Sequence, residues 1–313
     1  MSMAFVFPGQ GSQFIGMGKD LADNFTEAKE TFQEIDDALS QKLSALMFDG
    51  DEKDLNMTEN TQPALMAVSM AVVNILKAQG NVDIKDKCTF VAGHSLGEYS
   101  ALTAAETIAL ADTARLLKLR GTSMQKAVPV GVGSMAAVLG LDFETVAKIA
   151  ADAAQDEVCV AANDNSEGQV VVSGHKAAVE RAVALAVEAG ARKALVLPVS
   201  APFHCALMSP AAEAMHPALQ DTAFNAPAVP VVTNVTAEAQ SDPEKLKALL
   251  IDQITGIVRW RESVLYMRDQ GVTEMVELGA GKVLSGLTRR IDKSISCQSV
   301  GTAEQIEAFL TAQ

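Results

Sequence analysis

Gly93-His94-Ser95-Leu96-Gly97 follows a short apolar run, Thr89-Phe-Val-Ala92, and precedes a helix-compatible run, Glu98-Tyr-Ser-Ala-Leu-Thr-Ala-Ala105. A Gly-x-Ser-x-Gly sequence set between strand and helix is the context of a nucleophile elbow. Its two glycines allow a sharp turn that leaves the serine Oγ exposed above the sheet. The backbone N–H of the next residue, Leu96, then faces the oxyanion that develops when the serine attacks an acyl carbon. On the motif alone, a glycine-rich βα turn with an incidental serine is the alternative.

A serine hydroxyl is a weak nucleophile until a base takes its proton. The chain has four histidines, His94, His175, His204 and His216. His94 is the immediate neighbour of Ser95, and on a sharp turn its side chain points elsewhere. His175 and His216 fall at helix starts or within helical patterns, where capping or surface roles suffice. His204 ends Leu197-Pro-Val-Ser-Ala-Pro-Phe-His204 on a connecting segment, a good mount for a base. Given Ser95, the base role falls to His204. No Asp or Glu stands between Glu188 and Glu213 to orient its ring, so a serine–histidine dyad held by a backbone carbonyl is expected.

These residues need rigid elements to hold them. Short apolar runs alternate with longer helical patterns, the signature of a mainly parallel sheet covered by helices. Strands are expected at Ala4 to Phe7, Thr89 to Ala92, Val229 to Thr233, Thr273 to Glu277 and Cys297 to Val300, and helices at Glu59 to Gln79 and Leu110 to Lys126. Gly80 and Gly121 mark places where helices end or loosen. From Ala127 to Pro198 the order is strand, helix, strand, strand, helix, strand. The elements are Met135 to Leu139, Phe143 to Ala154, Val158 to Ala162, Gln169 to Ser173, Lys176 to Ala189 and Ala194 to Leu197. That order is a ferredoxin-like split βαβ unit. The expected organisation is α/β: a hydrolase-like catalytic domain of 1–126 and 199–313, with a ferredoxin-like small domain of 127–198 inserted in it.

With 313 residues, 49% of them hydrophobic and 20% charged, the chain can build a large core without staples. The net charge of 25 − 39 = −14 opposes non-specific binding of nucleic acid. Cys88, Cys159, Cys205 and Cys297 are scattered, with neither a disulfide frame nor metal-ligand spacing. The apolar run Leu65 to Leu76 is interrupted by Ser69 and Asn74, and the N-terminus lacks a leader pattern. A cytoplasmic protein with no membrane partner is expected.

Four blocks, Phe7-Pro-Gly-Gln-Gly-Ser-Gln13, Gly93-His-Ser-Leu-Gly-Glu-Tyr-Ser-Ala101, Val199-Ser-Ala-Pro-Phe-His-Cys-Ala-Leu-Met208 and Val258-Arg-Trp260, occur in order across nearly the whole chain. Together they resemble the malonyl-CoA:acyl carrier protein transacylases of bacterial fatty-acid synthesis, an acyltransferase family. The resemblance implies malonyl-CoA and acyl carrier protein as partners and no cofactor. It implies that Gln10 pairs its backbone N–H with that of Leu96 in the oxyanion hole, and that the Gln253 backbone carbonyl orients His204. Gly256-Ile257 depart from the Ser-Pro often found in that family. The loop at Gly9 lacks the residues of a phosphate loop: Phe14 stands where a dinucleotide motif has Gly, and Met17 where a P-loop has Lys.

Arg120 shares a helical face with Leu116, Leu117 and Met124, whereas Arg115 and Lys118 lie on another. A cation on an apolar face needs a partner. A planar guanidinium can grip a carboxylate through two parallel hydrogen bonds, and the resemblance implies that the acyl carboxylate is that partner. Pairing with an internal acid, or snorkelling to solvent, is the alternative on pattern alone. Phe203 either crowds branched acyl groups or belongs to the core. Gly279-Ala-Gly-Lys282 suits either phosphates at a helix N-terminus or a plain βα turn. Both substrates are anions approaching an acidic protein, so a basic patch of Arg192, Lys193, Lys282, Arg289 and Arg290 is expected at the mouth of the site. The implied reaction is ping-pong transfer through a malonyl-serine ester. A serine hydrolase or thioesterase, and a non-catalytic carrier-protein docking subunit, are the rival readings.

Overall fold

The computed structural model describes residues 2–199 and 201–312; Met1, Gln313 and the Ser200 of the third sequence block lie outside them. The strands are β1 (Ser2–Phe7), β2 (Phe90–Gly93), β3 (Gly133–Leu139), β4 (Cys159–Ser166), β5 (Gln169–His175), β6 (Lys193–Val196), β7 (Val231–Val232), β8 (Ala239–Gln240), β9 (Val272–Leu278) and β10 (Ser296–Val300). Six form one sheet in the order β10-β9-β1-β2-β7-β8, parallel except where β8 pairs antiparallel with β7. The other four form a second sheet in the order β4-β5-β3-β6, antiparallel at every pairing. The mixed α/β class with a mostly parallel sheet is thus as the sequence pattern implies.

Strands of a helix-covered parallel sheet are buried on both faces and read as continuous apolar runs. Residues 4–7 of β1 and all of β2 are buried in this way. Where that signal is missing, expectation and structure differ. The expected strand Val229 to Thr233 shrinks to two residues, because Pro230 can offer its carbonyl to Val91 N–H but has no N–H of its own to give. Strand β4 runs four residues beyond Ala162, through two register irregularities and a polar stretch, Asn163-Asp-Asn-Ser166, that carries no apolar alternation.

Those irregularities turn β4 toward the larger sheet. Val258 donates to Ala162 O and accepts from Asp164 N–H, each at 2.9 Å, so the fourth sequence block joins the two sheets through backbone pairing. Arg261 reinforces the seam by holding the buried Asp164 carboxylate at 2.8 Å. Trp260, fully buried, packs its ring 5.8 Å from that of His94.

Behind the elbow lie two helices, Thr58–Gly80 and Leu110–Lys126. The first is long and apolar enough to cross a membrane by length and composition, but most of it is buried inside the protein. Gly121 neither ends nor loosens the second helix. A Cβ there would sit 2.6 Å from the backbone at Thr58 and Glu59, so this glycine lets the two helices approach closely. That approach seats the neighbouring Arg120 in the interior. All four cysteines are buried and free.

The elbow helix, Gly97–Ala104, is pressed onto the end of β1: a Cβ on Gly97 would lie 2.3 Å from Phe7 O. Because the obstacle is backbone, relief requires moving a strand or the helix. Gly97→Ala is expected to cost about 1–3 kcal/mol as an overpacked substitution, read as a lowered Tm in thermal unfolding. An unchanged Tm would show that the helix can slide without cost.

Candidate active site

Ser95 sits at φ 53°, in the left-handed region, on the turn between β2 and the elbow helix. A non-glycine residue there stores strain of order 1–3 kcal/mol and persists only where its surroundings hold it. The glycines on either side make room. A Cβ on Gly93 would fall 1.9 Å from the Gly97 backbone, which is why the turn can be so tight. The Pro8–Gln10 loop runs equally close: a Cβ on Gly9 would meet His94 O at 2.6 Å. Gln10 therefore lies beside the elbow, and it lines the same cavity as Ser95 and Leu96.

Ser95 Oγ lies 2.8 Å from His204 Nε2, and Gln253 O accepts from His204 Nδ1 at 2.8 Å. A proton on Nδ1 leaves Nε2 as the acceptor facing the serine, the tautomer a general base requires. His204 is itself at φ 58° and buried. Burial, with the Arg120 cation next in weight, pushes its pKa down to about 3. The other histidines are engaged elsewhere or remote: His94 Nε2 meets Asn165 Oδ1 at 2.8 Å, His175 Nδ1 accepts from Val158 N–H, and His216 is exposed on the helix Ser209–Asp221.

Arg120 is 1% exposed and does not snorkel. Its Nη1 donates to Gln62 Oε1 at 2.8 Å, and its Nη2 donates to Gln253 Oε1 at 2.8 Å and to Ser95 Oγ at 3.2 Å. All three acceptors are neutral, and Nε has no partner. The Tyr99 ring lies 5.6 Å from the guanidinium carbon. Among the described residues, the one carboxylate acting on it is Glu98, through space, with the Gln253 amide between them.

Sequence reasoning missed the side chains that link these groups. Glu98 is buried, and its Oε2 accepts from Gln253 Nε2 and from Asn234 N–H, each at 2.9 Å. Asn234 accepts the Ser95 N–H at 2.7 Å and donates to Gly93 O at 2.7 Å. The Ser95 N–H is therefore taken, whereas the backbone N–H groups of Leu96 and Gln10 serve none of these bonds. The one available signal was Glu98 itself, a charge inside the apolar run Gly97–Ala104; nothing local marks Asn234 or Gln62.

The cavity holds about 500 Å³, with Met124, Met135, Val171 and Phe203 as apolar walls and Asn163 and Asn165 as polar ones. None of the five expected patch cations is among its lining residues. Lys282 and Arg289 line a separate depression with Phe14 and Gly281, and Arg290 donates to Gln169. The helix after Gly279–Lys282 has its first amides occupied: Glu277 accepts from Leu284 and Ser285 N–H, so the plain-turn reading fits there. Among the described residues no group of His, Cys, Asp and Glu could hold a metal ion.

A serine hydrogen-bonded to a histidine and beside a buried cation, at the carboxyl end of a parallel strand, is the arrangement of an α/β acyl-transfer site. Comparison with known proteins identifies the family: residues 4–306 match the model of the acyl transferase domain, and the chain belongs to that family. It is 46% identical over 307 residues to the malonyl CoA-acyl carrier protein transacylase of Escherichia coli strain K12, covering 98% of each chain. Its structure is similar to that of the acyl-carrier-protein-S-malonyltransferase of Bartonella henselae, with TM-score 0.97 and 54% identity over 100% of this chain and 99% of the other. It is also similar to a malonyl-transacylase solved in complex with a type II PKS acyl-carrier protein, with TM-score 0.97 and 42% identity over all of both chains.

The depressed pKa of His204 has a defined sign. Between its ordinary value of 6.5 and about 3, the unfolded chain takes up a proton that the native site refuses, so this group withdraws stability as pH falls through that window. In ¹⁵N-histidine NMR, with His204→Gln to assign the signal, the ring is expected to stay neutral down to about pH 5 or below, and its midpoint to rise in Arg120→Gln. A wild-type midpoint at the ordinary value would contradict this electrostatic account.

Proposed function

We propose that this chain transfers a malonyl group from malonyl-CoA to the phosphopantetheine thiol of acyl carrier protein, through an ester on Ser95. The observation that carries the reading is Arg120: a buried cation with only neutral hydrogen-bond partners, 3.2 Å from Ser95 Oγ. A guanidinium so near the nucleophile reaches a carboxylate only one carbon removed from the ester carbonyl, the length of a malonyl group. The relatives named above, one of them solved with its carrier protein, support the same substrates.

His204 Nε2 takes the Ser95 proton as Oγ attacks the thioester carbon, and the tetrahedral oxyanion is received by the Gln10 and Leu96 backbone N–H groups. Collapse breaks the C–S bond. Coenzyme A leaves as the thiol, taking its proton from His204. The carrier-protein thiol then gives its proton to His204 and attacks the malonyl ester, and the proton returns to Ser95 Oγ as the thioester departs. Gln253 O holds the imidazole in place of a triad acid. Phe203, a wall of the cavity, restricts the acyl group to unbranched forms.

The larger body, 1–126 and 199–313, is read as hydrolase-like, and 127–198 as a ferredoxin-like domain inserted in it. The strand order β6-β3-β5-β4, with helices Phe143–Ala154 and Lys176–Glu188 as crossovers, supports the second part. Four free cysteines support a cytoplasmic setting.

The test is intact mass after mixing with malonyl-CoA. Wild type gains one malonyl group and loses it on addition of holo-carrier protein; Ser95→Ala gains none. Arg120→Ala loses the grip on the carboxylate, roughly 2–5 kcal/mol for a buried charged hydrogen-bonded pair, and shifts its labelling preference from malonyl-CoA toward acetyl-CoA. Rapid loss of the label to water without carrier protein would mark a hydrolase instead, and equal labelling of Ser95→Ala would refute the nucleophile.

A further inference from the structure

We propose that Glu98 and Asn234 are positioning residues for this acyl transfer, joining the nucleophile, the acceptor that orients the base, and the acceptor that holds the arginine into one hydrogen-bonded body. The proposal rests on the reading of Ser95 and His204 given above.

The connections form a closed path. Asn234 is a two-pronged clip on the elbow: its Oδ1 accepts from Ser95 N–H and its Nδ2 donates to Gly93 O, each at 2.7 Å. The clip bridges the residue at φ 53° and the glycine two positions before it, where the strained turn would otherwise relax. It also removes the Ser95 N–H as a competing donor, so an oxyanion is directed to Leu96 and Gln10. Asn234 is fixed in turn by its own N–H, which donates to Glu98 Oε2 at 2.9 Å, and by Arg259 N–H, which donates to Asn234 O at 3.0 Å.

Glu98 Oε2 also accepts from Gln253 Nε2 at 2.9 Å. Gln253 Nε2 donates to Ser95 O at 3.0 Å, and Gln253 Oε1 accepts from Arg120. The same residue's backbone carbonyl receives His204 Nδ1–H. One carboxylate oxygen therefore fixes the two residues, Asn234 and Gln253, on which the elbow and the base respectively depend. Among the described residues no carboxylate hydrogen-bonds His204. The acid is displaced one residue away and acts on what holds the base.

Both Glu98 bonds go to Oε2, whereas Oε1 has no hydrogen-bond partner among the described residues. Placement therefore needs an oxygen acceptor at one position and not a negative charge. Burial pushes the Glu98 carboxyl up to about 7, consistent with a site that accepts either protonation form. A glutamine offers its carbonyl oxygen at the same place; an alanine offers nothing.

The experiment measures single-turnover acylation and steady-state constants with malonyl-CoA for wild type, Glu98→Ala, Glu98→Gln and Asn234→Asp, with Tm of each. Asn234→Asp keeps the acceptor for Ser95 N–H but turns an oxygen toward Gly93 O, so it tests the clip even if Glu98→Ala does not fold. Misplacement of reacting groups by about an ångström costs on the order of 10²-fold. We expect falls of that order in the acylation rate and kcat for Glu98→Ala and Asn234→Asp, with KM for malonyl-CoA unchanged in Asn234→Asp, whose clip does not touch Arg120, and recovery of most of the rate in Glu98→Gln. Wild-type rates in the folded Asn234→Asp and Glu98→Ala variants would overturn the proposal. So would a Glu98→Gln enzyme as slow as one lacking the acceptor, which would mean that the charge matters and not the placement. Failure of wild type itself to form the Ser95 ester would instead refute the reading on which the proposal rests.

Discussion

A full positive charge is buried at Arg120 with no carboxylate among the described residues in hydrogen-bonding reach, and much of the site's arrangement follows from accommodating it. Moving an ion out of water is expensive unless hydrogen bonds replace its hydration. Gln62 and Gln253 supply those bonds from two different helices, and the face of Tyr99 adds a third, weaker contact. Neutral amides solvate the cation without neutralising it. Its field is therefore left acting on its neighbours: it opposes protonation of His204 and favours ionisation of Glu98. On the proposed reading, that uncancelled charge is what the malonyl carboxylate meets.

The second constraint is the turn at Ser95. Its geometry demands glycine at 93 and 97 because backbone occupies the space where a side chain would begin, and Gly9 is demanded for the same reason by the loop beside it. These three glycines stack the ends of β1 and β2 and the start of the elbow helix within van der Waals contact. Parallel strands end together at one edge, so the Pro8–Gln10 loop after β1 and the elbow after β2 become neighbours although about eighty residues separate them. The smaller sheet closes the site from the other side, through the β4–Val258 pairing and the Asn165–His94 contact.

What could be seen in the sequence had either periodicity or backbone chemistry behind it. The arginine helix is found at its expected limits, Leu110–Lys126, because its apolar stripe is unbroken. The elbow was legible because Gly-x-Ser-x-Gly states a backbone requirement directly. The irregular end of β4 and the two-residue β7 were not, since there tertiary pairing and Pro230 override pattern. The side-chain network was hidden for a different reason. Its bonds join residues 95 with 234, 98 with 253 and 62 with 120, and a hydrogen bond between distant positions leaves no trace in local spacing. Gln253 shows the limit well: its carbonyl role came from resemblance, whereas its side chain, which contacts Arg120, Glu98 and Ser95 O, came only from the fold.

The electrostatics also bear on the proposed Ser95–His204 dyad, which has no triad acid. A triad carboxylate stabilises the imidazolium that forms when histidine takes the serine proton. Here burial and Arg120 act in the opposite sense, since both disfavour a charged His204. In the reaction proposed above, a carboxylate seated on Arg120 cancels the repelling charge and puts a negative group near the ring, which makes the imidazole a stronger base with the malonyl group bound than without it. On the proposed reading, selectivity for a carboxylated acyl chain enters through the proton-transfer step as well as through binding, and an uncharged acyl group of the same length forfeits both.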